Sequence, residues 1–396
     1  MKILIISNYY PPEIGAASNR IYCMAESLHK KNHLVTIISP LPNYPKGKIF
    51  KEYSNKFFIK ESLSGINNYR FWIYATISKS PIARAISMIS FSLTLWLSIF
   101  KIKNLKKYDK VIIQNSPLFV SFSSIILFKK IYNLETILNV SDLWPKTAQD
   151  LGQLKKGILL HILEMIEKFN YSNSDKIIGQ SKEILKHISS FINRPSFHYR
   201  NLQKNNSKFF SKQKIKKKEK FTLIYAGLLG VAQGIYELIK NIDLSELDIE
   251  LHIYGEGNEK SIIESYCTKN PKNNIKYCGI LTKKDILKIL PSYHLSIVPL
   301  KHNIIGAFPS KIYELTSCNV PIIYLGKGEA KDFIIKNKLG FCLNPSDYKG
   351  LNKLISEIVL IDKIDYISMT ENCTKTTLNY LDFDKQIEEL NNFLIK

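Results

Sequence analysis

The chain has 396 residues and a formal net charge of +22, from 56 Lys plus Arg against 34 Asp plus Glu. That length accommodates two domains with their own cores, and the basic balance favours anionic partners: nucleic acid, acidic lipid or phosphorylated substrates. No zinc spacing, aromatic RNA-binding signature or recognition-helix pattern is present, so nucleic acid is set aside and a membrane surface or a phosphosugar remains.

The first apolar run, Lys2–Ser7, reads as a strand and not a signal peptide, because it runs into Asn8 and Pro11-Pro12. The loop that follows, Asn8 to Arg20, is stiffened by its prolines. Gly15 lets backbone approach a ligand, and Ser18 or Asn19 can cap the next helix, Ser18–Lys31. Arg20 falls in the first helical turn, where the dipole prefers an acid; it reads either as a partner for an anion or as an exposed arginine. Strands follow at Leu34–Ser39 and Tyr69–Ile73, then a helix over Pro81–Phe100.

Within that helix, Ala85–Phe100 carries no charge, and Lys101, Lys103, Lys106 and Lys107 follow it. At ~1.5 Å per residue it spans about 24 Å, short of a ~30 Å hydrocarbon core. A buried core helix is the first reading, a helix resting in an anionic membrane interface the second, and a membrane span the least favoured.

Strands continue at Lys110–Gln114, Thr136–Val140 and Lys176–Gly179, with helices at Phe119–Tyr132, Lys155–Asn173 and Ser181–Phe191. Asp142 closes the Thr136–Val140 strand, fenced by Trp144 and Pro145, as a general base or sugar-hydroxyl acceptor; a helix-capping aspartate is the competing reading. The alternation predicts a parallel sheet wrapped by helices. Residues 201–220 are polar and strongly basic, without helical period, and read as a linker.

The rhythm restarts with strands at Phe221–Ala226, Glu250–Tyr254, Ile275–Tyr277, Leu295–Val298 and Val320–Tyr324. Gly227, Gly230 and Gln233, ahead of Gly234, form a spaced-glycine turn suited to phosphate, and Gly255 and Gly257 form a second glycine pair after a strand. Phe308, Pro309 and Ser310 then open a helix, with Ser310 a good N-cap. Lys311 adds a cation at its mouth, and Glu314, one turn on, can accept from a ribose. Terminal helices close the chain from Ile364. The division is therefore 1–200, a Rossmann-like domain; 201–220, a linker; 221–375, a second Rossmann-like domain; and 376–396, a closing helix. An α/β chain of this kind places ligands at the carboxyl ends of its strands.

Six scattered cysteines without a C-x-x-C pair read as free thiols in a reducing, cytoplasmic compartment. Histidines are few and spread, so no metal site is expected.

Taken in order, the loops resemble the family-4 glycosyltransferases, retaining enzymes of the GT-B fold. The likeness is closest to the bacterial branch that builds O-antigen, capsule or colanic-acid-type polysaccharide, including N-acetyl-fucosaminyl transferases. It rests on the start MKILIISNYYPPEIG, the NYPKG at Asn43–Gly47, SDLWP at Ser141–Pro145, YAG-x-x-G-x-x-QG at Tyr225–Gly234, YGEG at Tyr254–Gly257 and PSK-x-x-E at Pro309–Glu314. The resemblance implies two Rossmann-like domains facing across a cleft and a UDP-sugar donor used without metal or cofactor. It also implies a lipid diphosphate-linked glycan acceptor and a peripheral place on the inner face of the cytoplasmic membrane. It assigns the Gly15 loop to donor phosphates and acceptor, Asp142 to catalysis or sugar orientation, Glu314 to the ribose, and Gly255, Gly257 and the backbone at Ile280 to ribose and base.

This chain departs from the family pattern at several positions. The first glutamate of the family's E-x(7)-E falls at Gly306, the diphosphate-gripping Arg and Lys at Leu228 and Gln233, and the histidine before the aspartate at Ser141. Lys311, with Arg20, is assigned the missing basic role. Two function classes stay open: a transferase moving an N-acetylated amino sugar, and a non-catalytic relative that scaffolds polysaccharide assembly.

Overall fold

A computed structural model describes residues 1–78, 80–150, 152–202, 204, 217–358 and 363–396. The chain divides into two compact units, residues 1–200 with 384–396, and residues 201–383. Most of the segment read as a linker, 203 and 205–216, lies outside the described residues.

The first unit is built on β1 (Lys2–Ile6), β2 (Leu34–Pro40), β3 (Phe58–Leu63), β4 (Ile66–Phe71), β5 (Lys110–Gln114), β6 (Glu135–Val140), β7 (Lys176–Gly179) and β8 (Ser196–His198). They form one sheet in the order β3-β4-β2-β1-β5-β6-β7-β8. Every pairing is parallel except β3 with β4. In register, Ile5 of β1 lies between Ile37 and Ile112. All three are fully buried, as expected of central strands covered by helices on both faces. The sequence reading missed β3 and β8. In β3 half-buried and exposed residues mix, and β8 is only three residues long.

The second unit contains β9 (Phe221–Ala226), β10 (Ile249–Tyr254), β11 (Ile275–Tyr277), β12 (Leu295–Pro299), β13 (Ile322–Leu325) and β14 (Gly340–Leu343) in the order β11-β10-β9-β12-β13-β14, all parallel. Here β14, half-buried along its length, escaped the sequence reading. Two helices end the chain, Lys363–Tyr380 and Phe383–Ile395. The last rejoins the first unit, where His33 Nε2 meets Asn391 Oδ1 at 2.6 Å and Phe393 stacks on Phe197.

The uncharged helix is not the core element of the first reading. It runs Pro81–Thr94, tightens into a 3-10 turn at Leu95–Leu97 and ends in a short helix, Ser98–Lys101. Phe91 and Leu95 are fully buried, but Ile82, Ile86, Ile89 and Leu93 form an exposed stripe. No helix among the described residues is long and apolar enough to cross a membrane.

Candidate functional site

Because parallel strands share one direction, the loops after them gather at the carboxyl edge of each sheet. In the second unit those loops are laced together by their own backbones. Gly227 N–H donates to Tyr254 O at 2.9 Å, Leu229 N–H to Glu256 O at 2.8 Å and Gly255 N–H to Gly279 O at 3.0 Å. The approach is so close that only glycine fits. A Cβ on Gly255, whose φ is +151°, would sit 1.8 Å from Gly227 O, and one on Gly257 2.3 Å from Leu229 O.

Lys311 reaches into this lacework. Its ammonium lies 4.5 Å from the centre of the Tyr225 ring, a cation–π contact. A Cβ on Gly227 would fall 1.2 Å from that nitrogen, so the missing side chain at 227 is what admits the lysine. Burial pushes Lys311 down to about 8, and the neighbouring Glu314 carboxylate, on the same helix face, pulls it part of the way back. Tyr225, whose hydroxyl donates to Leu228 O at 2.6 Å, is a site residue the sequence reading passed over, since an aromatic at a strand end looks like core.

The helix carrying Lys311 and Glu314 runs Ser310–Ser317. Ser310 is its first residue and not its cap. Pro309 holds the cap position with no side-chain hydrogen bond, so the first N–H groups of the helix have no side-chain acceptor from the cap. Gln233 lies against Gly230, and its Oε1 is a buried acceptor without a donor. Ile280 is exposed beyond β11. The Phe308 ring is stacked on Tyr313 at 4.4 Å and edges onto Phe333, so it braces the helix start. Lys301 pairs with Glu237 at 2.7 Å.

In the first unit the helix Ala16–Lys30 begins two residues earlier than expected. Gly15 is its cap, no side chain caps it, and no acid stands in its first turn; Ser18 and Asn19 are helical. Arg20 is only 7% exposed, which removes the exposed-arginine reading, and its Nε has no hydrogen-bond partner. Burial lowers its pKa, while Asp142 and Tyr199 favour its charge. Asp142 itself is exposed. Further buried polar atoms at this carboxyl edge also lack partners: the Tyr10 hydroxyl, Ser18 Oγ, both Asn139 side-chain atoms and Gln180 Nε2. Buried polar groups are ordinarily paired, so this edge carries spare hydrogen-bonding capacity suited to a polyhydroxylated or anionic ligand.

Glu13 organises the same loops and was not singled out from sequence. It is buried and accepts from the backbone N–H groups of Asn43 at 2.8 Å, Tyr44 at 2.9 Å and Tyr10 at 3.3 Å. That bond set pins the proline loop to the Asn43–Gly47 turn, and Tyr44 then packs beside Gly15. Among the described residues no group of three or more His, Cys, Asp or Glu gathers as metal ligands.

Residues 206–376 match the family model for glycosyl transferases group 1. No curated protein matches the chain. Among solved structures, sucrose-phosphate synthase from Thermosynechococcus elongatus superposes with a TM-score of 0.75 at 13% identity, covering 99% of this chain and 97% of that one. HepE of Anabaena, in complex with UDP and glucose, gives 0.67 at 12% identity over 100% and 99%. A glycosyltransferase from Rickettsia africae gives 0.67 at 15% over 100% and 98%. The fold is therefore GT-B, and the matched domain on that fold indicates a glycosyltransferase.

Proposed function

We propose that the protein is a retaining transferase of the family-4 kind. It moves an N-acetylated amino sugar, such as FucNAc or GlcNAc, from a UDP-sugar to a lipid diphosphate-linked glycan in the assembly of an O-antigen- or capsule-type polysaccharide. The observation that carries the reading is Lys311, its ammonium held over Tyr225 in the space left by Gly227. A leaving diphosphate develops about two negative charges, and an ammonium beside uncapped helix N–H groups is a device for stabilising them without a metal ion.

The roles follow from position. Lys311 and the first turn of the Ser310–Ser317 helix grip the diphosphate, and Glu314 accepts from the ribose. The loops at Gly227–Gly230 and Gly255–Gly257, with Ile280, flank the nucleotide, and Gln233 offers its free carbonyl oxygen to a donor hydroxyl. Pro309 and Phe308 fix the helix start. In the first unit, the Gly15 loop and Arg20 are assigned to phosphate charge, and Asp142 to orienting the transferred sugar or the acceptor hydroxyl. Each UDP-linked sugar places its anomeric carbon next to the diphosphate. A front-face route, in which a diphosphate oxygen takes the acceptor proton, then asks the protein only for orientation and charge stabilisation.

The test is UDP release by purified protein from a panel of UDP-sugars, with and without EDTA and with Lys311→Ala in parallel. Release from an N-acetylated UDP-hexosamine, unaffected by EDTA and lost in the variant, is expected. Unchanged turnover in Lys311→Ala would sink the assignment of the diphosphate grip, and no release from any UDP-sugar would sink the donor class.

A further inference from the structure

Two helices of the first unit leave apolar stripes uncovered. On Pro81–Thr94 the stripe is Ile82, Ile86, Ile89 and Leu93, spaced by four, three and four so that it follows one helix face; Ile82 is 72% exposed. On Ile158–Ser172 it is Ile158, Ile162 and Met165, with Leu159 beside them; Ile158 is 82% exposed. Both helices pack on the same middle helix, Leu118–Ser124. Ser123 Oγ donates to Ser92 O at 2.8 Å on one side, and Phe122 meets Phe169 at 4.8 Å on the other. The three form one layer, and soluble surfaces seldom carry so many large apolar side chains so close together.

Around the first stripe the charge has one sign, while the second helix carries one partly exposed acid, Glu164, between Ile162 and Met165. Between Glu61 and Glu135 the sequence contains a single acid, Asp109. Lys101, Lys103, Lys106 and Lys107 follow the first stripe, and Lys155 and Lys156 precede the second; all six are exposed. Topology adds direction. Both helices connect parallel strands, β4 to β5 and β6 to β7, so both begin at the carboxyl edge of the sheet, where the Gly15 and Asp142 loops emerge.

We propose that this pair of helices forms a docking face for an anionic lipid bilayer, with the isoleucine stripes in the acyl–headgroup boundary and the lysines on acidic headgroups. The face extends the lipid-linked acceptor reading, on which its purpose rests, by laying the carboxyl-edge loops of the first unit beside the headgroups from which such an acceptor projects.

Flotation of the full-length protein with vesicles tests it, using phosphatidylcholine alone or with about 30% phosphatidylglycerol. Binding to the anionic vesicles only is expected. Ile82→Glu, Ile86→Glu, Ile158→Glu and Ile162→Glu combined should lower it at least about tenfold, with the thermal midpoint and UDP binding unchanged. Replacing Lys101, Lys103, Lys106 and Lys107 by Gln should lower it about fivefold per lysine. Equal binding by the folded isoleucine variant overturns the proposal. So does light scattering that shows a dimer broken by the same substitutions, with no flotation of the parent. Flotation without UDP release leaves the docking face standing and sinks the transfer reading instead.

Discussion

Each unit has a desolvated cation near the carboxyl edge of its sheet, Arg20 in the first and Lys311 in the second, and the two are of different kinds. Arg20 in the first unit is enclosed with its Nε unpartnered and Asp142 in its field. Lys311 in the second sits over Tyr225 beside Glu314, its pKa lowered to about 8. A guanidinium stays charged at any physiological pH, whereas an ammonium so placed can lose its proton. The first unit therefore presents a fixed positive site, and the second one that titrates.

The largest expected effect is on the lysine side. Lys311→Ala should lower kcat/KM by about 10²–10³, the usual scale for losing a group that stabilises developing charge, with little change in thermal midpoint. Arg20→Met should split the two readouts. Turnover should fall about ten- to a hundredfold, while the thermal midpoint holds or rises, because removing a buried guanidinium relieves desolvation. A sharp drop in midpoint would make Arg20 a structural residue and erase the parallel.

The pH response sharpens the same difference. Lys311 titrates from 10.5 in the unfolded chain to about 8 when folded, so the unfolded chain holds more protons between those values. Stability of the unliganded protein should therefore rise with pH across that window. Donor affinity should fall in the same range by about tenfold per pH unit above 8, and Lys311→Arg should flatten the profile. Calorimetric titration with UDP at several pH values reads both.

Gly227→Ala is a milder probe. The added methyl overlaps the flexible end of Lys311 and otherwise touches the Tyr225 hydroxyl at an ordinary 3.4 Å, so the fold should survive and donor affinity should drop about tenfold as the ammonium is displaced. Glu13→Gln is the smallest. It weakens charge-assisted bonds to three backbone N–H groups and should cost about 1–2 kcal/mol in chemical denaturation, with no effect on UDP binding.

Local chemistry made much of this readable. The isoleucine-rich runs of β1, β2 and β5 and the glycines after β9 and β10 follow from period, turn preference and strand length. Resemblance supplied the order in which those loops matter. Arg20 was legible as a cation near a helix start, but not as a buried one, because its surroundings include Asp142 and Tyr199, far along the chain. The same holds for the uncharged helix. Its composition suggested a core element, yet composition does not say which face a neighbouring helix covers, and the Leu118–Ser124 helix covers only one.

The amino-acid order alone determined the two-sheet α/β plan and the residue types at the strand ends, since both arise from interactions within a few residues. What required the assembled fold were the meetings between loops from different strands: Lys311 entering the space at Gly227, Glu13 tying three separate backbone groups, and the isoleucines left bare on two helices. Those depend on the distance between elements remote in sequence, which is set by packing and has no local signature.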